Sequence, residues 1–477
     1  MSTPLRKISE EQPARAASAA PISSRLADFA TEFSYEAIPA KVRERAKYLI
    51  LDAVGIALAS THYDFAHRVL SGIGAMSDGG DCSLIGMAQR LPLRDAVLMN
   101  GVLVHGLDYD DTHIDAIVHP TASALPCALG VAERVGASGR DLLAAYVLGV
   151  EVATRLGIAA KGGFHHFGFH PTGIAGHFSC ALQAGWLQDL SARQLMMAQG
   201  IAGSTAAASQ EFIEEGAWNK RMHPGWAGVA GITAASLAKG GFVGPSRTYE
   251  GRFGLFKSHL HEKEAEVDYG KITAGLGATW EIAATAVKPF PICHLIHACA
   301  DSALELKRKH GLMAGDIERI CALLPQETLH LVAEPEANKL KPTNSYDAKF
   351  SAQFVVAACF VRGRFGLAEL ESDALADPEI LALARKVKCE VDPQATFPKY
   401  FSGGVVAITR DGRDLKHHEP INRGAGERAL TGDEIAAKFA ENAELAVSRS
   451  RAEQIRDAIL DVDRLGAREF ARALCGR

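Results

Sequence analysis

Apolar positions along the first 285 or so residues recur at three- and four-residue spacing, the period of a helix that buries one face. In Val42–Ala57 they fall at Val42, Ala46, Leu49, Ile50, Ala53 and Ala57. Local start signals sharpen the boundaries. Ser138-Gly-Arg-Asp141 has the spacing of a capping box ahead of Leu142–Leu156, and Ser191-Ala-Arg-Gln194 has it ahead of Leu195. Many helical positions are Ala or Gly, so the helices can approach closely and form a dense, all-helical core. After residue 285 the period changes. Residues 316–324, 388–392 and 405–409 read as short strands, and Asp411-Gly412 supplies a hairpin signal after the last. Helical patterns at Ala352–Val361 and Leu367–Leu383 lie between the strands. A further capping box, Thr431-Gly-Asp-Glu434, opens helices that continue through Ile455–Leu460.

The expected fold is therefore mainly α. A large all-helical domain is assembled from residues 23–285 and 423–477, and a smaller α+β domain, 286–422, is inserted between them. Residues 1–22, rich in Ala, Ser and Arg, read as a disordered tail; Glu10 and Glu11 argue against a transit peptide.

Composition narrows the function classes. With 477 residues, 48% hydrophobic, the chain can build two cores. A net charge of −5 offers no broad basic surface for nucleic acid or an anionic membrane. An acidic substrate would need a local basic pocket. No run approaches the eighteen apolar residues expected of a membrane-spanning helix. The nine cysteines are odd in number and form no CxxC pair, which fits a reduced, cytoplasmic setting. Phosphate-loop, dinucleotide and GxSxG signatures are absent.

Candidate chemistry gathers at three His-Pro pairs: His119-Pro120, His170-Pro171 and His223-Pro224. With 18 His and 19 Pro in the chain, chance gives about 0.7 such pairs. Proline favours the first turn of a helix, so each histidine should sit at a helix N-terminus. Free N–H groups there favour anions and disfavour imidazolium, which leaves a neutral histidine able to accept a proton. Three unrelated loop-to-helix junctions would leave the same pattern. Asp108-Tyr-Asp-Asp-Thr112 places three carboxylates in four residues, which mutual repulsion makes costly unless partners or a substrate require them. The alternatives are a metal site or an acidic helix end facing water. Lys220, Arg221 and His223 cluster ahead of the third His-Pro helix, where Arg221 could grip a carboxylate and Lys220 could supply a point charge. Lys288, His294 and His297 follow at the expected domain junction, where clefts commonly form. His165 and His166, in a Gly-rich loop, read as surface residues. Glu151 and Arg155, four apart, read as a structural pair.

These motifs together resemble the MmgE/PrpD family. The resemblance lies in Asn100–Thr112 with His119-Pro120, Gly168-Phe-His-Pro-Thr172, Trp218–Gly225, Lys288-Pro-Phe-Pro and Asp347-Ala-Lys-Phe-Ser-Ala. It spans residues 24 to 470. It implies an enzyme related to 2-methylcitrate dehydratase, cis-aconitate decarboxylase or iminodisuccinate epimerase. It also implies a helical domain built from both chain ends, an α+β lid, a homodimer, and neither metal nor organic cofactor. By motif position it places Asp108, Thr112, His119, His170 and Lys220 in the active site, with His294 as the lid-side histidine. The Thr112–His119 interval is one residue longer than in the decarboxylase form. The expected activity is accordingly a lyase acting on small di- or tricarboxylic acids, dehydratase-like first and epimerase second. His170 would be the base, His119 or His223 the acid or second anchor, and Asp108 would orient a histidine. Lys220, with help from Arg221, would anchor a carboxylate or donate a proton, Lys288 would bind substrate, and Thr112 would hydrogen-bond a carboxylate. A metal-dependent hydrolase built on the Asp/His cluster and a non-enzymatic scaffold are the competing classes.

Overall fold

The computed structural model describes residues 20–476. The expected tail lies outside them except at its last residues, where the first helix already begins at Ile22. The main helices of the first part are α1 (Ile22–Glu32), α2 (Ala40–Ser60), α3 (Leu93–His105), α4 (Pro120–Val135), α5 (Gly139–Ala160), α6 (Pro171–Trp186), α7 (Ala192–Ala202) and α8 (His223–Lys239). After the sheet region come α11 (Gly432–Ala443), α12 (Arg449–Leu460) and α13 (Ala467–Leu474); the intervening α9 (His297–His310) and α10 (Ala352–Arg362) flank the strands. The architecture is mainly α with few, small sheets.

The capping boxes act as read. Asp141 N–H donates to Ser138 Oγ at 3.1 Å, and the same reciprocal arrangement opens α7 and α11. Each such cap contributes about 1 kcal/mol. Pro126 does not stop α4, although an interior proline usually breaks or kinks a helix. Every residue from Pro120 to Glu133 is buried, so packing on all sides offsets the roughly 3 kcal/mol that an interior proline costs. The helix ends instead at Gly136, left-handed at φ 73°.

Helix α5 corrects a second expectation: by length and composition alone it could cross a membrane. Here 94% of its apolar stretch is buried inside the fold, against α4 and α6. Helices α3 and α8 meet backbone to backbone. A Cβ on Gly101 would lie 2.3 Å from Gly225 Cα, so only glycine permits the approach that brings the start of α8 beside the end of α3.

Apolar side chains form two main clusters. The first runs from Ile22 to Val287 and resumes from Leu430 to Leu474. Helix α11 packs on α2, and α13 on α4. The second runs from Phe290 to Ala407. It contains a four-stranded sheet of β1 (Ile317–Leu324), β2 (Val387–Val391), β3 (Gly403–Thr409) and β4 (Asp414–Glu419) in the order β2-β1-β3-β4. β1 and β2 are parallel, and the other pairs are antiparallel. Leu367–Leu383 is not one helix. It breaks into a short turn and two helices, because Asp377 caps Pro378–Ala384 with its own carboxylate. Ile114, Ala286, Phe401 and Ala425 form a small third cluster, with Leu295 and Phe397 packed against it.

Candidate active site

The end of α3 delivers His105, and three residues later Asp108 turns the chain through a left-handed conformation at φ 53°, which Asp tolerates better than most residues. The Asp108–Thr112 segment is then pinned by a two-residue pairing of Thr112–His113 with Thr285–Ala286. All three carboxylates are buried rather than facing water, and each has its own partner. Asp108 Oδ1 accepts from Lys220 Nζ at 2.8 Å and Lys288 Nζ at 3.2 Å, and its main-chain oxygen accepts from Lys288 at 2.9 Å. Asp110 lies 2.8 Å from His105 Nδ1. Asp111 is bound by the hydroxyl and N–H of Thr121.

Burial alone would raise all three carboxyls. At Asp108 the pull of Lys220 and Lys288 outweighs it and holds the group well below the ordinary range; at Asp110 the His105 and His119 imidazoles do the same. At Asp111 burial outweighs the opposing Thr121 hydrogen bonds, and the carboxyl is pushed up to about 8, a neutral acid at physiological pH. Tyr109, between them, is held from the C-terminal helices. Lys438 of α11 donates to its carbonyl at 2.9 Å, lies over its ring at 3.7 Å and pairs with buried Asp52 at 2.7 Å.

The His-Pro pairs fall at helix N-termini as the spacing predicts. His119 and His170 cap α4 and α6, and His223 is the first residue of α8. His119 Nδ1 lies 2.7 Å from the Asp111 carbonyl, an acceptor only, so Nδ1 carries the proton and Nε2 presents a lone pair. Thr112 Oγ1 is 3.1 Å from the same Nδ1. His170 Nδ1 faces His223 Nδ1 at 3.2 Å, and His170 Nε2 is buried without a partner. Burial keeps these rings neutral: His119 is lowered to about 3, His223 to about 4, and His170 well below its usual value, with Lys220 adding to burial there.

These groups open onto a cavity of about 360 Å³, within the range of small-molecule sites. Asp108, Thr112, His119, His170, Lys220, Lys288 and His294 line it, and Phe212, Phe350, Phe397 and Phe401 supply apolar wall. His223 stands behind His170. Arg221 does not reach the cavity. Its Nε donates to the Gly106 carbonyl at 2.8 Å, its guanidinium stacks on Phe65 at 4.5 Å, and it lines a separate cleft with Tyr63 and Trp218. The expected carboxylate grip is thus replaced by a main-chain anchor beside the Asp108 turn. His165, read as a surface residue, is corrected: it lines the cavity, bonded to Gln210, and burial lowers it to about 4. Glu151 and Arg155 do pair, at 3.3 Å.

The sequence reading missed His105, Lys349 and Asn422. Lys349, inside the Asp347-Ala-Lys-Phe-Ser-Ala motif, donates to the Leu107 carbonyl and is lowered by burial to about 7. His105 was visible inside another motif. Asn422 had no local signal. Among the described residues His105, His119 and His170 could together hold a transition metal, with one ring nitrogen of each within 4.8 Å of the others. Bonds of 2.0–2.1 Å to a tetrahedral ion set ligand separations near 3.4 Å, so the three rings would have to draw together.

Comparison with known proteins follows the same outline. A model of the MmgE/PrpD N-terminal domain matches residues 24–268, and one of the MmgE/PrpD C-terminal domain matches 290–464. The chain is similar to cis-aconitate decarboxylase of Aspergillus terreus, 26% identical over 93% of this chain and 94% of that one. It has the same identity and coverage with the cis-aconitate decarboxylase-like protein oryM of Aspergillus oryzae. Human cis-aconitate decarboxylase is 27% identical over 89% of this chain and 88% of its own.

Proposed function

We propose that this chain, which belongs to the MmgE/PrpD family, is a lyase that removes carbon dioxide or water from a small tricarboxylic acid without a metal or organic cofactor. The observation that carries this reading is the pairing of two buried ammonium groups with one carboxylate at a wall shared with neutral imidazoles. Lys220 and Lys288 leave one positive charge beyond that of Asp108. A substrate carboxylate docks there, and the same charge stabilises electron density that builds up on it during reaction.

Decarboxylation of a cis-aconitate-like acid comes first, supported by the relatives named cis-aconitate decarboxylase that match over most of their length. The carbon–carbon bond breaks, its electron pair is delocalised toward the carboxylate held by the lysines, and Lys220 returns a proton to carbon. Dehydration of a 2-methylcitrate-like acid is the second reading, favoured by the longer Thr112–His119 interval. There His170, in the tautomer that donates Nδ1–H to His223, takes the proton next to the carboxylate at Nε2, and the β-hydroxyl leaves as water with a proton from Lys220. His119, whose Nδ1–H is committed to Asp111, can accept a proton but not donate one.

The working unit in this reading is a homodimer in the cytoplasm, the compartment that nine free thiols support. Met222, Trp226 and Leu237, each more than 40% exposed, form an outward apolar stripe at helical spacing along the start and body of α8, the kind of face a second copy would cover.

Chelator-treated protein incubated in D2O with cis-aconitate, 2-methylcitrate, citrate and iminodisuccinate, followed by proton NMR, tests the function. Loss of CO2 or water without added metal is the expected result. Deuterium uptake with inversion alone would make the protein an epimerase, and activity only on restoring metal would overturn the mechanism. His170→Ala should abolish dehydration while keeping the fold by circular dichroism; full activity would remove His170 as the base.

A further inference from the structure

Asn422 lies on the segment leading from the sheet back to α11, fully buried. Its amide has one possible orientation. The Phe401 main-chain N–H donates to Oδ1 at 3.1 Å, and only the oxygen of an amide can accept. Nδ2 is therefore the atom 2.8 Å from His294 Nε2. An amide nitrogen has protons and no lone pair to share, so the bond runs from Asn422 to the imidazole. A neutral imidazole that accepts at one nitrogen carries its proton on the other. Burial, with His297 and Lys288 adding to it, keeps the ring neutral.

The protonated atom is thus Nδ1, which is buried without a protein partner on a residue that lines the cavity. His297, whose ring lies 4.5 Å away, gives its own Nε2–H to the Ile292 carbonyl and makes no bond to His294. A desolvated donor with no partner is unfavourable, and an acceptor oxygen of a bound ligand would relieve it. His119 is the complement: its proton is committed to protein and its Nε2 lone pair is bare.

We infer that Asn422 is a positioning residue that locks His294 as a hydrogen-bond donor to an oxygen of the acidic ligand, so that His294 cannot serve as the base. This rests on the polycarboxylate reading for the ligand's class, but not for the tautomer. It also orients the ligand, with an oxygen toward His294 and the reacting carbon toward His119 and His170.

Nitrogen-15 NMR of histidine-labelled protein, with His294 assigned by difference against His294→Gln, reads the tautomer directly. The expected spectrum has the proton on Nδ1 and no titration between pH 5.5 and 8.5. A proton on Nε2, or a His294 that titrates near 6.5, overturns the inference. Asn422→Leu cannot donate. It should let Nε2–H appear and weaken binding of tricarballylate, an unreactive tricarboxylate, about tenfold or more by calorimetry. Unchanged affinity, or no binding by the wild type, would remove the ligand role. The wild-type spectrum needs no variant, so a poorly folding Asn422→Leu leaves the test intact. Should every substrate in the NMR panel prove inert while the Nδ1–H and the tricarballylate effect hold, the lyase reading falls and this one stands.

Discussion

Replacing Asp111 with Asn should make the protein more stable at neutral pH while leaving the catalytic geometry in place. Asp111 is 2% exposed, and burial pushes its carboxyl up to about 8; Asp110 and Asp52 add to the shift and Thr121 partly opposes it. The folded state therefore holds a proton that the unfolded chain releases above about 4. Folding takes up that proton, so this group lowers stability progressively as pH rises from about 4 to about 8, and by a constant amount beyond. At about 1.4 kcal/mol per pH unit the deficit is roughly 4 kcal/mol at pH 7 and about 6 above pH 8. Asn removes the ionisation and keeps a carbonyl oxygen for Thr121, but its extra N–H goes unpaired at about 1–3 kcal/mol. The net gain at pH 7 is about 1–3 kcal/mol. Unfolding entropy for a chain this long is about 1 kcal/mol per degree, so Tm should rise by about 1–3 °C. The pH dependence is the sharper signature: the Tm difference between variant and wild type should widen by about 4 °C from pH 5 to pH 8. Differential scanning fluorimetry across that range measures it. Activity should stay within a few-fold, because His119 is held by the main-chain carbonyl of residue 111 at 2.7 Å and not by the carboxyl. A Tm difference independent of pH would mean that Asp111 is ionised in the fold, and the reasoning would fail.

Two further substitutions probe other parts of the molecule. Lys288→Met removes one of the two ammonium groups on Asp108 and should lower kcat/KM by about 10²- to 10³-fold, as loss of a transition-state donor does, measured on whichever acid the NMR panel identifies. A change under threefold would take Lys288 out of the mechanism. Trp226→Glu puts a charge in the outward stripe of α8 and should convert a dimer to a monomer in analytical ultracentrifugation; an unchanged sedimentation coefficient would place the subunit contact elsewhere.

What the chain reveals before folding is mostly local. Ser138 with Asp141, Thr431 with Glu434 and the three His-Pro pairs each declare a helix start through residues at most three apart, and the helices begin there. Local rules failed where packing overrides them. Pro126 sits in an uninterrupted helix because its surroundings are buried on every side. Elsewhere one local signal beats another: the Asp377 cap splits a stretch whose apolar period suggested one helix. In the candidate site, residue types and approximate places were legible for the lysines and histidines, since their motifs are compact. Partnerships were not. Arg221 adjoins Lys220 in sequence, yet their side chains part to opposite sides of the Asp108 turn, one to the cavity and one to the Gly106 carbonyl. Asn422 meets His294 from 128 positions away, and no local pattern marks such a pair.

The hold that Lys438 keeps on Tyr109 spans 329 positions of chain and reaches the middle of the acidic turn. On a ribosome the turn, its lysines and its histidines all emerge before the residue that clamps them. Until Lys438 arrives, Asp52 lacks its ammonium partner and the Tyr109 carbonyl its donor. A nascent chain halted before α11 would carry every candidate catalytic group and still leave the turn unclamped, so catalytic competence would wait for α11.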